Sequence, residues 1–484
     1  MGKLVFFLLI SLSGFSQIEV GSLYEELPND TIYPLSFRSH SEIKPSIRIE
    51  NKVNYKYSYK FINDSSKSYF IVSPIIDAGL QFENSVDYKT GLGLKITGKY
   101  KNKLFYTISG IQGIGKDDSK LFQPKSYIFH QKNKNRFIYT DLRARFSYTP
   151  NKIFNFQTGV DHNFFGEGNR SLLLSDYGHP YPFAQIRANF GKIEYTMLYQ
   201  LYREQTKENL WKEKFSSAHL LSFNPTNWLN FSFFESVIFS PKDIGLFRGF
   251  DAEYLNPVVF FRPQEYSIGS SDNTFMGLLF SVKRKKHTLY GQTILDDFLV
   301  SEIIARRGYW SNKFGGQLGL KGRFNSNNQN FFYRVEFNFV RPYTYSHANT
   351  NENYGNQNSP LAHPYGSNFI ELIGEIKCQK DNFIYKFFGN YYLHGGDKND
   401  GISYGGNIYA SYNTYPKYYN NYIGQGVKEN GLNLIFSVAC ILDKATNLQF
   451  FVENHFQGNT VISEKLFKFV IGFRSCLWND YRNY

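Results

Sequence analysis

The chain has 484 residues, of which 19% are aromatic, with 48 Phe and 38 Tyr. Its mean hydropathy is polar, at -0.41, and after the first sixteen residues no run approaches the roughly 18 apolar residues of a membrane-crossing helix, which excludes a helical membrane protein. The formal net charge of +13 is not gathered into the long basic runs of a nucleic-acid binder, and three scattered cysteines, Cys378, Cys440 and Cys476, exclude a disulfide scaffold or a C-x-x-C metal site.

Residues 1–16 carry a positive charge at Lys3, run through an apolar core at 4–12 and end on Gly14, Phe15 and Ser16. That is the pattern of a secretory signal peptide cut before Gln17, with a core too short to span a membrane. Residues 17–67 alternate poorly, carry several turn residues and are expected to stay periplasmic or to enter a lumen. From Ser68 onward period-two alternation recurs, which is the strand signal. Alternation, high aromatic content and a polar mean fit an all-β transmembrane barrel of the outer membrane, which faces lipid with every second residue. A secreted sandwich or propeller with Tyr-rich faces is the alternative, and the lack of a fixed repeat counts against the propeller.

Residues 153–160 alternate as a strand and lead into the segment DHNFFGEGNRSLLLSD at 161–176. A dinucleotide loop would need a third glycine where Ser171 stands, inside a parallel βαβ unit, so Gly166 and Gly168 are expected to turn the chain sharply instead. Arg170 then becomes an interior or rim group, and the leucines cover an inward-folded segment. The basic tetrad at 283–286 lies between two strand-like runs and reads as a solvated hairpin turn. Residues 294–306 have mixed apolar spacing and predict a short helix, which inside a barrel would be a plug or an inward-folded loop. Asp296 and Asp297 are adjacent and on a strand would point to opposite faces, poor geometry for a catalytic carboxylate pair.

Residues 331–339 set Phe331, Tyr333, Val335, Phe337 and Phe339 on one face and Phe332, Arg334, Glu336 and Asn338 on the other. The next strand sets Ile370, Leu372, Ile376 and Cys378 against Glu371, Glu375, Lys377 and Gln379. Charges of both signs on one face suit a wet or filled lumen better than a dry core. Turn-rich segments at 325–330, 380–382 and 397–401 separate the runs. The string Gly401-Ile-Ser-Tyr-Gly405 lacks the strand–helix context of a nucleophile elbow, and 406–412 after it alternates like a strand. The last strand spans 466–474, with Phe467, Phe469, Ile471 and Phe473 on one side. At about 25 residues per strand and connection, 68–484 forms one barrel of roughly 16 to 18 strands with inward-folded loops and short helical segments.

Four stretches break the strand rhythm with dense hydrogen-bonding groups: 166–175, 253–263, 309–315, and 341–347 with 360–364. They yield the candidate polysaccharide-binding or lumen-network residues Arg170, Arg262, Trp310, Lys313, Arg341, Tyr343, His347 and His363, joined by Asn273. Aromatic rings stack on sugar faces and Arg or Lys pairs with sugar carboxylates; interior Arg and Asn equally tie inward loops to a barrel wall. No H-E-x-x-H pair occurs, and His179, His347 and His363 stand alone, so no catalytic group, metal or cofactor is expected. The expected partners are outer-membrane lipid, an acidic surface polysaccharide, and envelope export or gliding proteins, but not nucleic acid.

The blocks GVDHNFFGEGNRSLLLSDYGHPYPF, YLNPVVFFRPQEYSIGSSDN, YGQTILDDF, GYWSNKFGGQLGLK and RPYTYSHANTNENYGNQNSPLAHPYGSNFIEL occur in this order between residues 159 and 372. They resemble the capsule-assembly family typified by Wzi, and the last block resembles its gliding-motility RemB-like branch. The resemblance implies an outer-membrane barrel of about 18 strands that binds or helps assemble surface polysaccharide, without catalysis. It also implies an N-terminal helical bundle, from which this chain departs, because 18–67 lacks helical periodicity. A motility or adhesion component acting through envelope proteins is the second expectation, and a passive pore or an enzyme the third.

Overall fold

The computed structural model describes residues 19–20, 40–45, 47–48, 58–63, 65, 67–116, 128–131, 136–205, 211–243, 246–247, 249, 252–256, 272–398, 400–444, 446–460 and 465–476. The signal-peptide region 1–16 and Arg262 lie outside the described residues. The described wall begins with β1 (Ser68–Phe82), β2 (Val86–Tyr100), β3 (Leu104–Lys116), β4 (Arg136–Tyr148), β5 (Phe154–Asp161) and β6 (Tyr181–Asn189). It continues through β7 (Ile193–Gln205), β8 (Trp211–Thr226), β9 (Leu229–Phe239), β10 (Asn273–Arg284), β11 (His287–Leu295) and β12 (Phe314–Ser326). It ends with β13 (Gln329–Val340), β14 (Phe369–Lys380), β15 (Phe383–Gly396), β16 (Val427–Asp443), β17 (Leu448–Asn459) and β18 (Leu466–Ser475). Each strand pairs antiparallel with its sequence neighbour, and β18 returns to β1 in register from Phe469↔Phe82 to Arg474↔Asp77, closing an 18-strand barrel. Closure leaves no long unpaired edge in the wall, the condition under which a sheet can sit in hydrocarbon.

The alternation read from the sequence is the inside–outside alternation of the wall. On β13, Val335 and Phe337 are exposed outward while Arg334, Glu336 and Asn338 are buried in the lumen. On β14, Leu372 and Ile376 face out, and Glu371, Glu375 and Lys377 face in. Aromatic pairs mark both ends of the apolar band: Phe324 stacks on Phe331 at 4.7 Å, and Phe314 meets Phe339 edge-on at 6.5 Å. Ten residues separate Phe314 from Phe324 on β12; at about 3.3 Å per residue and a tilt of about 40°, that is about 25 Å of height, the height of an outer-membrane apolar band.

Connections alternate in length. The turns at 101–103, 190–192, 227–228, 285–286, 327–328 and 381–382 lie at one end, and the long connections 162–180, 240–272, 296–313, 341–368 and 397–426 at the other. In outer-membrane barrels the short turns are periplasmic and the long loops external, which orients the chain.

The lumen on the β5–β14 side is filled. Strand Ile43–Lys44 pairs with Phe164–Phe165, and the Gly166 amide donates to the Glu42 carbonyl at 2.7 Å. Leu172, Leu173 and Leu174 of the 162–180 connection, with Tyr345, Tyr354 and Leu361 of the 341–368 connection, form a dry cluster against Leu198, Leu220, Phe234 and Phe275 of the wall. Ionic clusters occupy other parts of the lining: Glu375 meets Arg334, Lys377 and Lys386 at 3.2, 3.2 and 3.5 Å, and Glu453 meets Arg474 at 2.6 Å and the His455 ring at 3.1 Å.

Three local expectations are corrected. The short helix, α1 (Val300–Ala305), has no buried residue, so it is neither a plug nor an inward-folded element. Residues 406–412 form bends and turns rather than a strand, because Gly405 packs against Tyr343 and Gly406 against Gly395 at the end of β15, which folds the segment over the rim instead of extending the wall. The tetrad at 283–286 turns at Lys285 and Lys286 as expected, yet Lys283 belongs to β10 and enters the lumen, where its ammonium lies 3.7 Å from Glu167.

Candidate functional site

The external mouth is built on an extension of the β11–β12 hairpin. The Asp296 amide donates to the Lys313 carbonyl at 3.0 Å and the Lys313 amide to the Asp297 carbonyl at 2.7 Å. The Lys313 ammonium then lies 3.2 Å from Asp296 and 2.7 Å from Asp297, and 4.3 Å over the Tyr412 ring. The adjacent carboxylates therefore converge on one cation, contrary to the strand geometry expected, because the chain leaves the sheet at this point. Burial pushes the Asp296 carboxyl up to about 6 against the opposing pull of Lys313. Burial alone would lower Lys313, but the two carboxylates outweigh it and raise its pKa. Asp296 also accepts the Tyr345 amide at 2.9 Å, which locks the 341–368 connection to the hairpin.

Aromatic rings gather on this frame. Trp310 stacks on Tyr415 at 4.4 Å and 12°, lies 5.3 Å from Tyr412, and takes Tyr343 edge-on at 6.1 Å. Tyr309 packs on Tyr418 and Tyr419 at 5.5 and 6.0 Å, and the Arg307 guanidinium covers Tyr419 at 4.7 Å. The Trp310 amide donates to the Tyr418 carbonyl at 3.1 Å, so the 296–313 and 397–426 connections are laced together through the backbone. Tyr418 and Tyr422 are 53% and 62% exposed, whereas the Trp310 indole N–H is buried and finds no partner among the described residues. A buried donor without an acceptor is unfavourable unless a bound group supplies one.

The candidates sort into two places. Trp310, Lys313, Arg341, Tyr343 and His347 come together at the mouth. Trp310 combines a half-buried ring with a buried indole N–H that has no partner among the described residues. Arg341 is consumed by the Asn312 and Tyr309 carbonyls at 2.8 and 3.2 Å, and burial lowers its pKa. Tyr343 is fully buried in a left-handed backbone conformation (φ 69°) and donates to the Ser403 carbonyl at 3.2 Å. His347 lies 3.2 Å from Glu352, whose carbonyl takes the Asn273 amide at 2.9 Å. Arg170 and His363 sit deep in the lumen and meet at Glu371: its carboxylate is 3.8 Å from Arg170 and 2.7 Å from His363. Burial lowers His363, with Glu371 opposing. The tyrosines 412, 415, 418 and 419 were not singled out in the sequence, although five tyrosines within 412–422, in a segment that does not alternate, are a legible signal. Among the described residues no cluster of metal-ligating side chains occurs.

A scan against protein-family models and a search of characterised proteins found no match. Among solved structures the chain is similar to Wzi, an outer-membrane protein involved in group 1 capsule assembly in Escherichia coli and a carbohydrate-binding β-barrel, at TM-score 0.53 and 13% identity over 84% of each chain. It also aligns with OccAB2 of Acinetobacter baumannii at TM-score 0.46 and 9% identity, over 84% of this chain and 96% of that one. OprD of Pseudomonas aeruginosa aligns at TM-score 0.43 and 8% identity, over 87% and 98%. Identities this low establish shared architecture: the chain is a closed outer-membrane β-barrel with the fold of Wzi.

Proposed function

We propose that this barrel binds and helps to assemble surface polysaccharide, non-catalytically, at the aromatic mouth formed by 306–313 and 412–422. The observation that carries the proposal is the Trp310–Tyr415 stack beside the exposed Tyr418, with an unpartnered indole N–H. Flat rings match the apolar faces of sugars, and a buried donor selects a hydroxyl or ring oxygen. An acidic glycan fits because Arg307, 54% exposed beside Tyr419, spends its Nε and Nη2 on Glu302 but keeps Nη1 without a partner among the described residues, whereas Lys313 and Arg341 are committed to holding the loops. The five ordered sequence blocks support placing the chain with the Wzi-type capsule-assembly proteins and their RemB-like gliding relatives, exported by cleavage before Gln17.

The test is retention of an acidic surface polysaccharide by cells carrying Trp310→Ala with Tyr418→Ala, at wild-type levels of assembled barrel. Loss of retention is expected; unchanged retention overturns the proposal. A deletion strain that keeps its polysaccharide but spreads poorly on agar transfers the role to motility.

A further inference from the structure

The outer wall is not smooth where the barrel closes. A groove of about 760 Å³ runs over β1 and β15–β18, lined by Phe82, Phe387, Phe436, Phe456, Phe467 and Phe469, with Asn454, Glu83 and Lys465 among its polar groups. Its cause is a step in the rim. The β1–β2 connection is only residues 83–85, so β1 joins β18 from Phe469 onward while residues 466–468 pair with β17 alone. The rings lining the groove belong to the lipid-facing set, with Phe467 69% exposed and Phe436 49%.

Two polar groups are out of place on such a wall. Asn454 lies opposite Phe436 on one side and Phe469 on the other, and points outward with them. No hydrogen-bond partner for its side-chain amide occurs among the described residues. An amide left unpaired against hydrocarbon is unfavourable by several kcal/mol on the order of its transfer free energy, so a polar partner is required there. Lys465 stands exposed at the rim just before β18, with no carboxylate partner among the described residues.

We propose that this groove is a binding site for a phosphate-bearing lipid of the outer leaflet. An acyl chain lies across the phenylalanine rings, and the phosphate sits between the Asn454 amide and the Lys465 ammonium. The groove is at the long-loop end of the wall, which places it in the external leaflet. Its volume is that of a ligand pocket, and it is concave, which suits a chain-like occupant better than the convex wall of a second copy. A lysine and an amide donor complement an anion, and a charge-assisted contact at the edge of the membrane is strong enough to select one.

Native mass spectrometry of the detergent-extracted full chain, titrated with diphosphoryl lipid A, tests this. The wild type is expected to retain one lipid, and to do so about tenfold more tightly than Asn454→Leu/Lys465→Gln or than it retains dephosphorylated lipid A, the margin of one charge-assisted contact. Phe467→Ala serves as a second variant should the double variant not assemble, and Phe337→Ala on the remote wall is expected to leave retention unchanged. Equal retention by the groove variants, equal retention of the dephosphorylated lipid, or a protein dimer that occupies the groove overturns the proposal.

Discussion

Glu336 of β13 is where the wall holds the inward 162–180 connection, and replacing it with alanine has a computable consequence. Its carboxylate is fully buried and accepts four hydrogen bonds: from the Asn169 amide at 2.7 Å, the Arg170 amide at 3.1 Å, the Tyr290 hydroxyl at 2.7 Å and the Asn338 side chain at 3.0 Å. Two of these donors are backbone N–H groups of the loop and have nowhere else to turn. Each bond to a charged acceptor contributes about 1.5–3 kcal/mol, so losing the two backbone bonds removes about 3–6 kcal/mol of loop docking, less whatever water recovers. Glu336→Gln keeps one accepting oxygen and is expected to lose roughly half as much. The assay is the urea midpoint of the heat-modifiable folded band, read together with tryptic cleavage after Arg170. The alanine variant is expected to unfold earlier and to be cut at Arg170, which is 3% exposed in the native protein. A midpoint within about 0.5 kcal/mol of wild type, with Arg170 still protected, refutes the idea that Glu336 anchors the loop.

Three further outcomes follow from the same geometry. Leu318 is 52% exposed on the outward face of β12, between the two phenylalanine levels, so Leu318→Arg is expected to cost about 2–4 kcal/mol in bilayer refolding; indifference there means the face does not meet hydrocarbon. At Gly113 an added Cβ would lie 2.4 Å from the Thr90 carbonyl and 2.4 Å from the Tyr139 ring, so Gly113→Val is expected to lose about 1–3 kcal/mol or fail to assemble, whereas normal folding yields refute the steric limit at this position. Burial holds Asp296 at about 6, above its unfolded value, so the protonated form favours the fold. Stability is then gained as pH falls from 7 through 6, is complete below about 4, and amounts to at most about 3 kcal/mol. Asp296→Asn removes that part of the urea-midpoint curve, and a variant with the wild-type slope between pH 7 and 5 contradicts the assignment.

The wall was legible because its two solvents write a period of two into each strand. Phe331 to Phe339 and Ile370 to Cys378 carry that period with Phe332 and Ile373 as the apolar exceptions on the inward face, and spacing bounded the strand count at 16 to 18. The inward turn of 162–180 was also legible, from two glycines followed by leucines where no strand could continue. The short helix was found but misplaced, since mixed apolar spacing does not say whether a helix turns inward or stands exposed. The divided fate of the candidates was illegible for a related reason. An arginine that binds a ligand and one that holds two loop carbonyls, as Arg341 does, have the same sequence neighbourhood.

The sequence by itself therefore determined the class, the strand rhythm and the direction each strand residue faces, because those are local consequences of pleating between lipid and a polar lumen. Only the tertiary structure decided which loops meet: that Asp296 and Asp297 share Lys313, that Trp310 lands on Tyr415 a hundred residues on, and that Glu371 receives both Arg170 and His363. Such contacts arise from barrel closure and loop packing, where partners distant in the chain are brought together by the shape of the whole cylinder, and no short pattern encodes them.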